Sequence, residues 1–129
     1  MPKTKKDILE NKKVALKYAR RFLKEGRKLI DTVGWVKGRS RKYSRGGKIT
    51  GFCSTGAINE VRMTTTGDWW ARYAGEKIAI RALSKAANRE VINFNDDKKT
   101  RKVHILNAFD EASKLLRKRD AIKLTEHIV

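Results

Sequence analysis

Residues 51–61, GFCSTGAINEV, hold a single charged side chain, Glu60, in a chain otherwise dense with lysine and arginine. Ser54, Gly56 and Ala57 fall within one helical turn of one another, so no long side chain there would hold neighbouring backbones apart. The expectation is a short central helix that starts near Cys53 and sits beneath two flanking helices. At 129 residues and 40% apolar content, the chain has the size of one domain with one modest core. Pro2 is the lone proline, so helix breakers are few. The expected class is therefore mainly α: a compact single-domain bundle of four to five helices, with a basic loop or short hairpin between the first two.

Residues 1–6 read as a flexible basic N-terminus and residues 7–129 as the helical domain. From Asp7, read as an N-cap, Ala15, Ala19, Phe22, Gly26, Leu29, Ile30 and Val33 recur at three- and four-residue steps along one helix face. Gly26 on that face suits close packing against Gly56 or Ala57, since a helical glycine otherwise costs about 1 kcal/mol against alanine. Gly34 suits the left-handed residue that ends a helix, with Trp35 folding back on the last turn.

Residues 35–48, WVKGRSRKYSRGGK, read as a long loop or irregular hairpin with Gly46-Gly47 at its tip, and residues 49–52 as a short strand. Thr64-Thr65-Thr66-Gly67 breaks the chain before a third helix, capped by Asp68 and running to Asn88. Tyr73, Ile80, Leu83 and Ala87 share one side of it. Trp69 and Trp70 sit in its first turn about 100° apart, so at most one of them can be fully buried. Residues 90–94 read as extended and Asn95-Asp96-Asp97 as a turn. Thr100 then caps a fourth helix with Val103, Leu106, Phe109, Ala112, Leu115 and Leu116 as its inner stripe. Residues 120–128 read as a short terminal helix.

Charge decides which partners come into question. Lysine and arginine number 32 against 14 acidic residues, a formal net charge of +18, and 17 of the basic residues with only 4 of the acidic ones lie in the first fifty positions. Self-repulsion on that scale opposes compaction, so a polyanion is the expected partner: nucleic acid first, DNA before RNA, then an anionic membrane or an acidic protein surface. Two clusters could grip phosphates. The outer face of the first helix carries Lys17, Arg20, Arg21, Lys24, Arg27 and Lys28, and the following loop carries Lys37, Arg39, Arg41, Lys42, Arg45 and Lys48, with Trp35 and Tyr43 between them. Guanidinium forks bond phosphate oxygens in pairs, a glycine-rich backbone can follow a groove, and aromatic rings can stack on exposed bases. The same residues could instead form a solvated face and a solvated loop. The expected function is thus a nucleic-acid-binding accessory protein of phage type, with little sequence readout. Two alternatives stand beside it: a protein–protein effector docking on a host nucleic-acid-handling complex, and a virion component lying against the genome.

Gly34-Trp35-x-x-Gly38, Cys53-x-x-Gly56-Ala57-Ile58, an apolar pair before Asn95-Asp96, and a Thr-led amphipathic helix follow one another in an order that resembles a family of small bacterial and phage proteins of unknown function. The resemblance spans roughly residues 15–116. It implies a mainly helical domain, often borne on a phage or mobile element, and brings no activity, cofactor or catalytic residue with it. Phe94 stands where the family pattern leads one to expect Trp, and the loop after Trp35 is unusually basic.

Cys53 is the one candidate nucleophile. A helix N-terminus and nearby cations favour its thiolate. A cysteine hydrolase would also need a His base and an orienting Asn or Asp, for which His104, Asn95 and Asp96 are the candidates. A small packing cysteine accounts for the same residue, and no enzyme activity is expected. One Cys and two His give no paired-ligand spacing for a metal, Asp96, Asp97, Asp110 and Glu111 are explained by turns and helix starts, and no cofactor is expected. A lone cysteine makes no intrachain disulfide, and no run approaches the roughly 18 apolar residues of a membrane span. The expected place is a reducing cytoplasm, the host's if the chain is phage-encoded, with no membrane partner.

Overall fold

A computed structural model describes residues 4–129. Among them are five α-helices, one two-stranded sheet and a terminal 3-10 helix. Helix α1 (Lys5–Thr32) is the spine, and helix α3 (Trp69–Ala87) makes the largest contact with it. Helix α2 (Ser54–Thr64) and helix α5 (Lys102–Arg117) complete the core around α1, and helix α4 (Val91–Asp96) packs on α2 and α3. The mainly α class and the hairpin between the first two helices are as expected.

The ends of α1 differ from the reading in an instructive way. Thr4, not Asp7, is the N-cap: its hydroxyl accepts from Asp7 N while the Asp7 carboxylate accepts from Thr4 N, a reciprocal capping box. The expected loose lead-in is therefore helical from Lys5, and residues 1–3 lie outside the described residues. At the other end Val33 is exposed rather than on the inner face. Trp35 bridges to Phe52 and packs against the core.

Small residues set the helix spacing. The buried face of α3 is Ala71, Ala74, Gly75, Ile78, Ala79, Ala82 and Leu83, whereas Tyr73, expected on the inner side, is exposed. A Cβ on Gly75 would stand 2.7 Å from Tyr18 Cβ and 3.2 Å from Ala15 O, so α1 and α3 touch backbone to backbone there. Gly26 meets Ile58 and the Phe109 ring, not Gly56 or Ala57. Gly56 lies under the main chain of Ser40, where any Cβ would overlap the Ser40 carbonyl.

In α5 the buried stripe is Ile105, Ala108, Phe109, Ala112 and Leu116, while Val103 is exposed. Its N-cap is Arg101, not Thr100, which is buried instead. Residues 90–94 are not extended but open α4, and Asn95 and Asp96 close that helix rather than forming a turn. The short terminal helix expected over residues 120–128 is a 3-10 helix over Arg119–Thr125.

Candidate functional site

Strand β1 (Arg41–Tyr43) pairs antiparallel with strand β2 (Ile49–Phe52), and Gly46-Gly47 closes the tip through Gly47 N donating to Ser44 O at 3.0 Å. This hairpin is held to the body by Arg41, whose guanidinium donates to Asn59 Oδ1 at 3.0 Å, pairs with Glu60 at 3.5 Å and lies over the Phe52 ring. Below it, Ser40 O accepts from Cys53 N at 3.0 Å, so the strand entry and the start of α2 are stitched together.

Asn95 is the junction of the surrounding segments. Its side chain is buried at 2% exposure, and its Oδ1 accepts from Trp35 Nε1 at 2.8 Å, Ser54 N at 3.0 Å and Ser54 Oγ at 2.7 Å. Its Nδ2 donates to Val36 O at 3.1 Å and to Asp96 Oδ1 at 2.9 Å. Asp96 also accepts from Gly38 N at 2.9 Å, and Lys37 donates to Asp97 O at 2.6 Å. The loop after α1, the start of α2 and the end of α4 are thereby one hydrogen-bonded unit. The Asn95 amide, then the Gly38 N–H, and more weakly the Lys37 charge hold the Asp96 carboxyl below the usual carboxylate range. The Arg89 guanidinium, then the Lys99 N–H, hold Asp97 below it too.

The basic segment of residues 35–48 divides by what each cation touches. Lys37 and Arg41 are engaged internally, and Trp35, expected as a stacking ring, is half-buried with its indole N–H on Asn95. Among the described residues, no carboxylate lies within ion-pair distance of Arg39, Lys42, Arg45 or Lys48, and Tyr43 is 56% exposed. Lys98 and Lys99, missed by sequence reading, are exposed on the turn beside Asp97 and so flank the same loop. They could have been noticed as the continuation of a basic run, Lys98 to Lys102, that the acidic pair before them obscures.

The α1 cluster is thinner than its sequence. Arg20 donates to Leu116 O at 3.0 Å, Arg21 pairs with Glu25 at 3.1 Å, and Arg27 pairs with Asp110 at 2.8 Å. Lys17, Lys24 and Lys28 have no such partner among the described residues. Arg20, Arg21 and Lys24 share a groove with Arg117 of α5, while Lys28 lies toward Glu60 and Thr64 of α2. The structure therefore divides the expected site into a hairpin patch and a separate α1–α5 groove.

Cys53 caps α2, its sulfur accepting from Gly56 N at 3.2 Å beside Thr55 Oγ1 at 3.3 Å. It lines a cavity of about 180 Å³ with Arg39, Thr55, Asn95 and Asp96. His104 is not among the lining residues: on α5 its Nδ1 accepts from Arg101 N at 2.9 Å. Of the three partners considered for Cys53, Asn95 and Asp96 line its cavity and His104 does not. Among the described residues no group of His, Cys, Asp and Glu is placed to hold a metal, and no helix is long and apolar enough to cross a membrane.

Residues 16–115 match the model of a family of unknown function (DUF6197). No curated protein and no solved structure matches the chain.

Proposed function

We propose that this chain, which belongs to the DUF6197 family, binds nucleic acid by gripping the phosphate backbone through the hairpin between α1 and α2. The observation that carries the reading is the contrast within one segment. Arg41 anchors the hairpin to Asn59 and Glu60, whereas Arg39, Lys42, Arg45 and Lys48 project without a carboxylate partner among the described residues. A protein that needed those charges only for solubility would gain a few tenths of a kcal/mol by pairing them. Leaving four cations unpaired on a rigidly tethered arm keeps them free to replace condensed counterions on a phosphate chain.

Lys98 and Lys99 extend the same patch, and Lys17, Lys24 and Lys28 on α1 offer a secondary contact for a longer duplex. With contacts of this kind, base sequence is read little and salt dependence is steep. The accessory, phage-type role and the preference for DNA remain part of this proposal. The test is a gel shift with the combined variant Arg39→Ala, Lys42→Ala, Arg45→Ala, Lys48→Ala. Affinity for a duplex at low salt should fall at least tenfold with the thermal midpoint unchanged, and retained binding would remove the hairpin from the interface.

A further inference from the structure

Trp69 opens α3 with 61% of its surface exposed, an unusual position for the largest apolar side chain. Its indole stacks on the Tyr73 ring at 5.4 Å between centroids and 6° between planes. The Lys77 ammonium sits 4.9 Å from the centroid of the same tyrosine. The three residues stand at i, i+4 and i+8 and form a column of cation, phenol and indole along the outside of the helix. Tyr73 is the one interior ring of that column, and the terminal member, Trp69, is left the more exposed of the two rings.

The column is connected to the hairpin through α2. Arg41 of β1 donates to Asn59 of α2, whose Nδ2 donates to Glu76 of α3 at 3.4 Å, and Arg62 of α2 also pairs with Glu76. Glu76 lies one turn from Tyr73 and two from Trp69. A polar bridge therefore runs from the base of the hairpin across α2 to the face of α3 that carries the column.

We propose that Trp69 stacks on an unpaired nucleobase of a strand whose phosphates are held by the hairpin, so that the protein favours single-stranded over double-stranded nucleic acid. The inference rests on the nucleic-acid reading above. Its occupant follows from shape and charge: an indole terminating a parallel stack accepts a flat π-face, and the net charge of +18 favours one carried on a polyanion. A duplex keeps its bases stacked on each other and cannot offer that face.

Fluorescence anisotropy with a labelled oligothymidine and a blunt duplex of equal length, at one low salt concentration, tests it. Trp69→Ala should weaken the single strand roughly tenfold and the duplex less than about twofold, since one base–aromatic stack is worth about that factor. Trp69→Phe should restore most of the single-strand affinity. Unchanged single-strand binding in Trp69→Ala, or equal losses on both ligands, would overturn the stacking role while leaving the hairpin's role standing. Failure of the unaltered protein to bind either ligand would overturn both.

Discussion

Asn95 shows how one side chain can hold three segments in register. Its amide oxygen serves three donors and its nitrogen two acceptors. Truncation to alanine would leave Trp35 Nε1 and the Ser54 donors facing a void. Asn95→Ala should therefore cost about 3 kcal/mol or more in urea unfolding, because each stranded buried donor forfeits roughly 1–3 kcal/mol. Trp35→Phe removes only one donor, and the oxygen keeps both from Ser54, so its polar cost should be nearer 1 kcal/mol. In the next two residues, the depressed Asp96 and Asp97 carboxyls imply acid sensitivity. A carboxyl whose folded value lies below its unfolded one contributes stability that is complete above the unfolded value and is lost as pH falls through the folded value. Stability should thus decline below about pH 4, and the acid limb of the unfolding profile should flatten in Asp96→Asn with Asp97→Asn.

Among the elements, α2 is fixed by what passes over it. Adding a methyl at Gly56 drives it into the Ser40 main chain, which cannot swing aside as a side-chain tip can. Gly56→Ala should cost about 2 kcal/mol or more despite alanine's better helix propensity. Gly26→Ala is tight only against the Phe109 ring edge at 3.2 Å, its Ile58 contacts being of ordinary length, so the propensity gain of about 1 kcal/mol should nearly offset the crowding. Equal losses at the two sites in thermal melts would contradict this. The hairpin divides likewise: Arg41→Ala should lower the melting temperature, and Arg45→Ala should leave it unchanged while weakening nucleic acid.

What could be read from the chain follows from the range of each contact. Asp68 and Asn88 bound α3 as the local sequence suggests, whereas the expected caps Asp7 and Thr100 give way to neighbours within three residues, Thr4 and Arg101. The six-residue α4 was not legible, since so short a helix is stabilised by packing and not by its own periodicity. Nor was the role of Trp35, whose partner lies 60 residues away. Asn95 itself has the local signature of a turn residue, and only the fold reveals its buried network.

For the molecule as a whole, two facts govern behaviour: a core closed by small residues at the helix crossings, and a surface carrying far more cations than anions. The first lets a 129-residue chain present a rigid frame. The second opposes that frame and is what the proposed binding would draw on, so moderate salt should raise the melting temperature of the free protein even as it weakens the proposed complex. Ion pairs such as Arg21–Glu25 and Arg27–Asp110 already quiet part of α1, whereas Arg39, Lys42, Arg45 and Lys48 have no carboxylate partner among the described residues. The decisive measurement is the equilibrium constant for duplex binding across a salt series, in the unaltered protein and in the variant with Arg39, Lys42, Arg45 and Lys48 replaced by alanine. A steep logarithmic slope that becomes shallower by about 3 to 4 in the variant, close to 0.9 per lost phosphate contact, is the expected result. No binding at low salt, or the same slope in both proteins, would contradict it.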